Sequence, residues 1–340
     1  MQQESNTKMF TAEHIRLFVK WLKFLVFQEE SFSTDLRKVC REDNLMKFGM
    51  PYKGSKNAIA GKLIEVLPPA EHFYDLFGGG GAITHCALLS GKYKYVHYNE
   101  FNPLVFKAFK MALNGEFKGE NRWISREDFE KLKDKDPYVA ICFSFGNDLR
   151  TYCYSKEKEP FKQAAHNFLF FNDKSEIEKY VPIDIEFTSD DVNTKRLEFQ
   201  RYLKPHIDKI KSYCNCDSKN PTNVLQSLES LERLNNFNDI KNIVCTNLSY
   251  DELDFETDSV IYCDPPYSGT NKYTVEFDHE KFYSWARLQK NIYVSEYNMP
   301  DDFHEVGFVT KRSLMDAAGK AGTKKEKLFT NRHEEGFILC

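Results

Sequence analysis

No apolar run in this chain of 340 residues approaches the roughly 18 consecutive residues needed to cross a bilayer. The polar start Met1-Gln2-Gln3-Glu4-Ser5-Asn6 lacks the apolar stretch of a secretory leader, so a soluble, intracellular protein is expected. Also missing is any excess of positive charge. The formal net charge of −4 is not that of a generally basic nucleic-acid binder, and contact with phosphates would need a local basic surface. The nine cysteines have no paired CxxC spacing. Cys214-x-Cys216 has neither a second pair nor a histidine at ligand spacing, so it reads as reduced thiols and not as a zinc site. With 41% hydrophobic and 15% aromatic residues, the chain can bury one large α/β core plus a smaller insertion, as two lobes.

The pattern centres on Val260-Ile261-Tyr262-Cys263-Asp264-Pro265-Pro266-Tyr267. Val260 to Cys263 is a short apolar run with β-branched and aromatic members, which predicts a buried parallel strand. Two prolines end it, delivering Asp264 and Tyr267 to its carboxyl end, where open α/β sheets bind ligands. The Asp264 carboxylate and the Pro265 carbonyl make a stiff edge of acceptors beside an aromatic face, suited to a planar group with an exocyclic amine.

Upstream, His72 to Phe77 reads as a strand running into Gly78-Gly79-Gly80-Gly81 and then a helix. Such a turn lets a cofactor approach the backbone closely. The dinucleotide fingerprint is incomplete, since Thr84 stands at its last position. Tyr95 to Glu100 reads as a second strand ending in an acid, placed to accept ribose hydroxyls. Before both, Met50-Pro51-Tyr52-Lys53-Gly54-Ser55-Lys56 is a glycine-containing turn leading into a helix over 58–67, able to wrap a small anionic or zwitterionic ligand. By composition alone, Lys56 is a solvated lysine at a helix start.

These stretches, in this order, resemble the DNA adenine methylases of the Dam-like type, with Asp264-Pro265-Pro266-Tyr267 at the place of the catalytic motif. The likeness covers roughly 50–110 and 240–335, and more loosely the insertion, where Phe143-Ser144-Phe145-Gly146-Asn147 is similar to phage-type members. It implies an α/β, Rossmann-like, seven-stranded methyltransferase sheet with an inserted target-recognition lobe, S-adenosyl-L-methionine as cosubstrate, and no metal. It further implies Tyr52, Lys56, Asp75, Phe77, Gly79, Gly81, Glu100, Asn247 and Asp264 at the cofactor, Asn247 near its adenine. The partner implied is double-stranded DNA, methylated at adenine N6 by direct attack after the base is flipped out, in the cytoplasm of a bacterial or phage-infected cell. A monomer or weak dimer without membrane contact is expected. Relatives often carry aspartate at the Glu100 position, a small departure that preserves the role.

Three parts follow from this reading. Residues 1–48 form a helical extension with an apolar stripe at Ile15, Phe18, Val19, Leu22, Leu25 and Val26. Residues 49–118 and 239–340 form the cofactor-binding and catalytic domain, and 119–238 the inserted recognition region. Within the insertion, Arg150, Tyr152 and Lys156 are candidate DNA contacts; an ordinary hairpin with exposed aromatics explains them equally. The basic-rich run from Lys195 to Lys211 suits a solvated helix face as well as it suits DNA. The leucines at 225, 228, 231 and 234 step backwards by roughly 60° around a helix and predict a buried edge. Ser268 to Tyr273 is a polar loop able to close over a base. Lys324 and Lys325 belong to a basic, Gly-Ala-rich stretch read as a mobile loop on phosphates.

The rival readings are a methyltransferase of another amine (RNA adenine or cytosine N4), a catalytically silent DNA-binding homologue, and a nicotinamide enzyme. Aspartate at 264 favours adenine; Gly79, Gly81 and Glu100 speak against a decayed site; only the glycine turn supports the nicotinamide reading.

Overall fold

The computed structural model describes residues 48–214, 222–234, 242–267, 277–313 and 322–332. The expected helical extension, the Ser268–Tyr273 loop and the Gly-Ala-rich segment 314–321 lie outside them. Seven strands form one sheet in the order β3-β2-β1-β4-β5-β7-β6. Their bounds are β1 Ala70–Asp75, β2 Tyr93–Asn99, β3 Ile243–Thr246, β4 Ser259–Cys263, β5 Ile292–Glu296, β6 His304–Ser313 and β7 Gly322–Thr330. The strands from β3 to β5 are parallel, whereas β7 is antiparallel to both β5 and β6. This is a mixed α/β sheet of the kind expected.

The centre of the sheet is set by residues that are apolar on both faces. In β4, Val260 and Tyr262 pack to one side and Ile261 and Cys263 to the other, and all five of its residues are buried. The first side is covered by α1 (Ala60–Val66) and α2 (Ala82–Ser90), the second by α10 (His279–Ala286). Sheet order reverses between β1 and β4. The register Asp75↔Tyr262 therefore brings the glycine turn after β1 beside Asp264 after β4, at the switch point where ligands of such sheets bind.

After α3 (Pro103–Leu113) the chain leaves the sheet and builds α4 (Arg126–Leu132), α5 (Pro137–Cys142), α6 (Glu159–Phe171), α7 (Val192–Leu203), α8 (Ile207–Cys214) and α9 (Asn223–Arg233) before returning at β3. Its core is continuous with the sheet's own: Tyr98, Val105, Ala108, Phe109 and Ala112 pack in one cluster with Phe143, Phe161, Phe168 and Leu228. The leucines at 225, 228, 231 and 234 are all buried, as their backward-stepping spacing predicts. Arg196 of α7 is buried against Glu229 at 3.3 Å and Lys195 pairs with Asp190 at 3.5 Å, so these two members of the basic run have ion-pair partners within the lobe. Among the described residues no helix is long and apolar enough to cross a membrane.

One local expectation needs correction. The stretch holding Lys324 and Lys325 is not a loop over its described part: Gly322 to Thr330 is β7, paired with β6 as a hairpin. The strand alternates, with Glu326 and Leu328 buried between the more exposed Lys325 and Lys327. Period-two burial was masked in the sequence by the charged side chains on both faces.

Candidate active site

The glycine turn is held in place by what surrounds it. Gly79 and Gly81 have φ of +49° and +70°, a region that side chains with a Cβ seldom adopt. A Cβ on Gly81 would lie 2.2 Å from the Phe109 ring, and one on Gly79 3.0 Å from Tyr52. The Tyr98 ring, stacked on Phe109 at 3.8 Å, supports the turn and donates its hydroxyl to Gly79 O at 2.8 Å. From outside, the segment before α1 clips on: Met50 N donates to Gly80 O at 2.7 Å and Gly49 N to His85 Nδ1 at 2.8 Å. Burial lowers the His85 pKa to about 4, which keeps the ring neutral and able to accept.

Glu100, at the end of β2, is buried and accepts from Gly79 N and Asn102 N, both at 2.8 Å. Burial raises its pKa and the two amides oppose that rise. A carboxylate offers about four lone-pair positions, so two remain for a hydroxyl-bearing ligand. Phe101 beside it is 61% exposed. Asn247 donates to Glu100 O at 2.6 Å and Phe101 O at 3.0 Å, tying the end of β3 to that of β2. Phe101 and Leu248, just beyond the ends of β2 and β3, are exposed. Neither stood out in the sequence; the signal was an aromatic immediately after the strand-ending acid. Phe77 is half-buried and packs on Tyr250, Phe277 and Phe282.

Two further site candidates are buried. Asp75, 1% exposed, accepts at Oδ2 from Thr84 N and Thr84 Oγ1 at 3.1 and 2.7 Å. Through these two hydrogen bonds it anchors the first turn of α2 to β1. Burial pushes its pKa up to about 7, with the neighbouring Asp264 and Glu100 charges adding to the rise and Thr84 opposing it. Lys56 is not the solvated lysine that composition suggests. Only 6% exposed, its ammonium reaches Asp264 Oδ1 at 2.7 Å, Tyr267 Oη at 2.6 Å and Glu326 Oε1 at 2.9 Å. An ammonium has three hydrogens, and these acceptors take all three.

That cluster fixes Asp264 and Tyr267. Burial alone would lower the Lys56 pKa, but Asp264, Tyr262 and Glu326 outweigh it and raise it far above the usual lysine value. Burial raises the Glu326 pKa, opposed by Lys56. The Tyr267 ring is set by Lys56 at its hydroxyl and by Tyr297 edge-on at 4.7 Å. His279, the first residue of α10, donates from Nε2 to Pro266 O at 2.8 Å, so both ends of the segment between the motif and α10 are tied together. Pro265 is buried and Asp264 keeps 18% of its side chain exposed. Asp264 is thus held at Oδ1 by the Lys56 ammonium, next to the oriented ring of Tyr267.

Within the insertion the structure corrects one DNA candidate. Tyr152 is 5% exposed and donates its hydroxyl to Ile124 O at 2.8 Å; it belongs to the lobe's core and cannot meet a base. Arg150 and Lys156 are exposed. Phe145, within the phage-like stretch, is 67% exposed. On the hairpin, Lys325 is exposed with its ammonium 4.2 Å from the Phe308 ring centre, and Lys324 is paired across the strands with Lys311.

A family model of the D12 class N6 adenine-specific DNA methyltransferases matches residues 52–292 of this chain. No curated protein matches it.

Proposed function

Because the chain belongs to the D12 class N6 adenine-specific DNA methyltransferase family, we propose that it methylates adenine N6 at a specific sequence of double-stranded DNA with S-adenosyl-L-methionine as donor. One observation carries the local part of this reading: the buried Lys56 holds Asp264 by one oxygen and Tyr267 by its hydroxyl, so that a carboxylate and an aromatic ring are fixed side by side at the end of β4.

The cosubstrate's fit is supported by the close-approach turn at Gly79 and Gly81, the two lone-pair positions left on Glu100, and the exposed Phe101 and Leu248 just beyond the strand ends. In this reading Glu100 accepts the ribose hydroxyls, Asn247 lies at the adenine edge, and Tyr52 and Phe77 border the cofactor. When bound, S-adenosyl-L-methionine supplies an electrophilic methyl group on a sulfonium.

Adenine N6 is a weak nucleophile because its lone pair is delocalised into the ring. The Asp264 carboxylate and the Pro265 carbonyl accept the two amine hydrogens, which favours a pyramidal nitrogen with its lone pair localised. As positive charge develops on that nitrogen, the fixed carboxylate stabilises it without reorganising. The surplus proton leaves through Asp264 to solvent. Tyr267 stacks on the extruded base, offsetting part of the few kcal/mol that flipping costs. Arg150, Lys156, Lys324 and Lys325 are the proposed phosphate contacts, each adding to salt-dependent affinity.

The test is incubation with labelled S-adenosyl-L-methionine and mixed-sequence duplex DNA, digestion to nucleosides, and chromatography, with Asp264→Ala in parallel. Label in N6-methyldeoxyadenosine, absent from the variant, is the expected result. Label in another base, or in RNA only, would refute adenine N6 of DNA as the target.

A further inference from the structure

A cleft of about 550 Å³ opens between residues 48–57 and the insertion, where it is walled by α5, the Phe145–Asn147 turn and α9. Its size falls in the range of about 300–1,000 Å³ typical of clefts that enclose small molecules. The α9 wall is made of Asn223, Gln226, Ser227 and Ser230, spaced so that all four share one helical face. The opposite face of α9, with Val224, Leu225, Leu228 and Leu231, is buried in the lobe. Phe48, which is only 7% exposed, the half-buried Tyr52 and the exposed Phe145 also line it.

None of the described residues that line this cleft is charged, in a chain where 29% of residues are. That composition discriminates between parts of a nucleic acid. Phosphates are met mainly by arginine, lysine and backbone amides, whereas base edges are read by paired donors and acceptors and base faces by aromatic rings. A lining of amides, hydroxyls and aromatic side chains suits a neutral planar heterocycle.

The wall is also preorganised. Gly146, Asn147 and Leu149 all have positive φ, of 60°, 55° and 65°. The Asn147 amide fixes the turn by donating to Ile141 O at 2.8 Å and to Ser227 Oγ at 3.3 Å. The cleft adjoins the methyl-transfer site through Tyr52, which also packs over Gly79, yet Asp264 and Lys56 are not part of its lining.

We propose that this cleft receives a base of the DNA substrate other than the adenine that is methylated, and that Gln226 and Ser227 read its edge, making α9 a determinant of the sequence acted upon. The inference rests on the DNA-methylation reading above.

The test is selection from a randomised duplex library by binding to the full chain, followed by sequencing, for the unaltered protein, Gln226→Ala and Ser227→Ala. Methylation of the same library is mapped in parallel, so loss of transfer is read apart from loss of base reading. Gln226 is exposed, which leaves the fold intact on its replacement, and circular dichroism verifies both variants. The expected result is an enriched motif for the unaltered protein and, in each variant, a preference weakened about 5- to 100-fold at one shared base position, the others being kept. Identical motifs and preferences in all three proteins, or no motif for the unaltered one, would overturn the proposal. Enrichment without any adenine methylation would sink the proposed activity and leave the base-reading cleft standing.

Discussion

Lys56 Nζ lies 2.7 Å from Asp264 Oδ1 and 2.6 Å from Tyr267 Oη, so one buried cation orients both the carboxylate and the ring. Asp264→Asn keeps the shape but places an amide on one of the two positions, against either the ammonium or the amine hydrogens. We expect kcat to fall by at least about a thousandfold, in line with the loss of a preorganised group in other active sites, with cosubstrate binding retained. Lys56→Met leaves Asp264 and Glu326 without their cation and should destabilise the protein by about 3–5 kcal/mol. Methylation rates and urea denaturation measure the two effects separately; normal turnover in Asp264→Asn would refute the assigned role.

His279 touches no reacting atom in this scheme and acts through Pro266. Removing its hydrogen bond in His279→Ala should free the peptide that carries Tyr267. A fall of about tenfold in kcat is expected, the equivalent of roughly 1.4 kcal/mol, with little change in melting temperature. His279→Gln, which can still donate, should recover part of the rate. Equal loss in both variants would count against a positioning role.

Asp75 makes stability depend on pH. Its pKa is raised by burial from 3.8 to about 7, so between these values the folded state binds more protons than the unfolded one. Its contribution is therefore most favourable below about pH 4 and is lost as pH rises through 7, by up to about 4 kcal/mol. Asp75→Asn retains an acceptor for Thr84 and removes the titration. Compared across pH 4 to 8 by denaturant unfolding, the variant should gain stability over the unaltered protein as pH rises. A constant difference over that range would show that Asp75 titrates alike in both states.

Two glycines with positive φ separate backbone strain from crowding. At Gly91 a Cβ would meet nothing within 4 Å, whereas at Gly81 it would meet the Phe109 ring at 2.2 Å. Gly91→Ala should cost about 1 kcal/mol from the backbone alone. Gly81→Ala adds overpacking of about 1–3 kcal/mol and should also weaken cosubstrate binding, because the turn must shift. Calorimetric melting and isothermal titration of S-adenosyl-L-methionine check both.

The sheet was legible where an apolar or aromatic run ended at glycine or proline: Phe73 to Phe77 before the glycine turn and Val260 to Cys263 before Pro265 show this for β1 and β4, and the spacing from the glycine turn pointed to Glu100, which lies buried at the end of β2. What escaped was decided by contacts distant in sequence. Glu326 is a lone acid among lysines, and only its pairing with Lys56 across the fold marks it as part of the site. Tyr152 lies between Arg150 and Lys156, and local sequence cannot tell an aromatic lining a core from one facing a base. Asp75 stands at the end of a strand, yet it was claimed by the amide and hydroxyl of Thr84, a helix-anchoring contact that strand periodicity does not encode.

The shared core of α3 and the insertion limits how such a protein can diversify. Phe109 and Ala112 pack with Phe161 and Leu228, and Phe109 also backs the glycine turn. A graft that exchanged residues 119–238 for the corresponding region of a relative would set foreign side chains against a helix that supports the cosubstrate turn. New sequence preferences in this scaffold are therefore expected to arise by point changes on exposed faces such as that of α9, or by inheritance of α3 together with the insertion, and not by shuffling the lobe as a free-standing cassette.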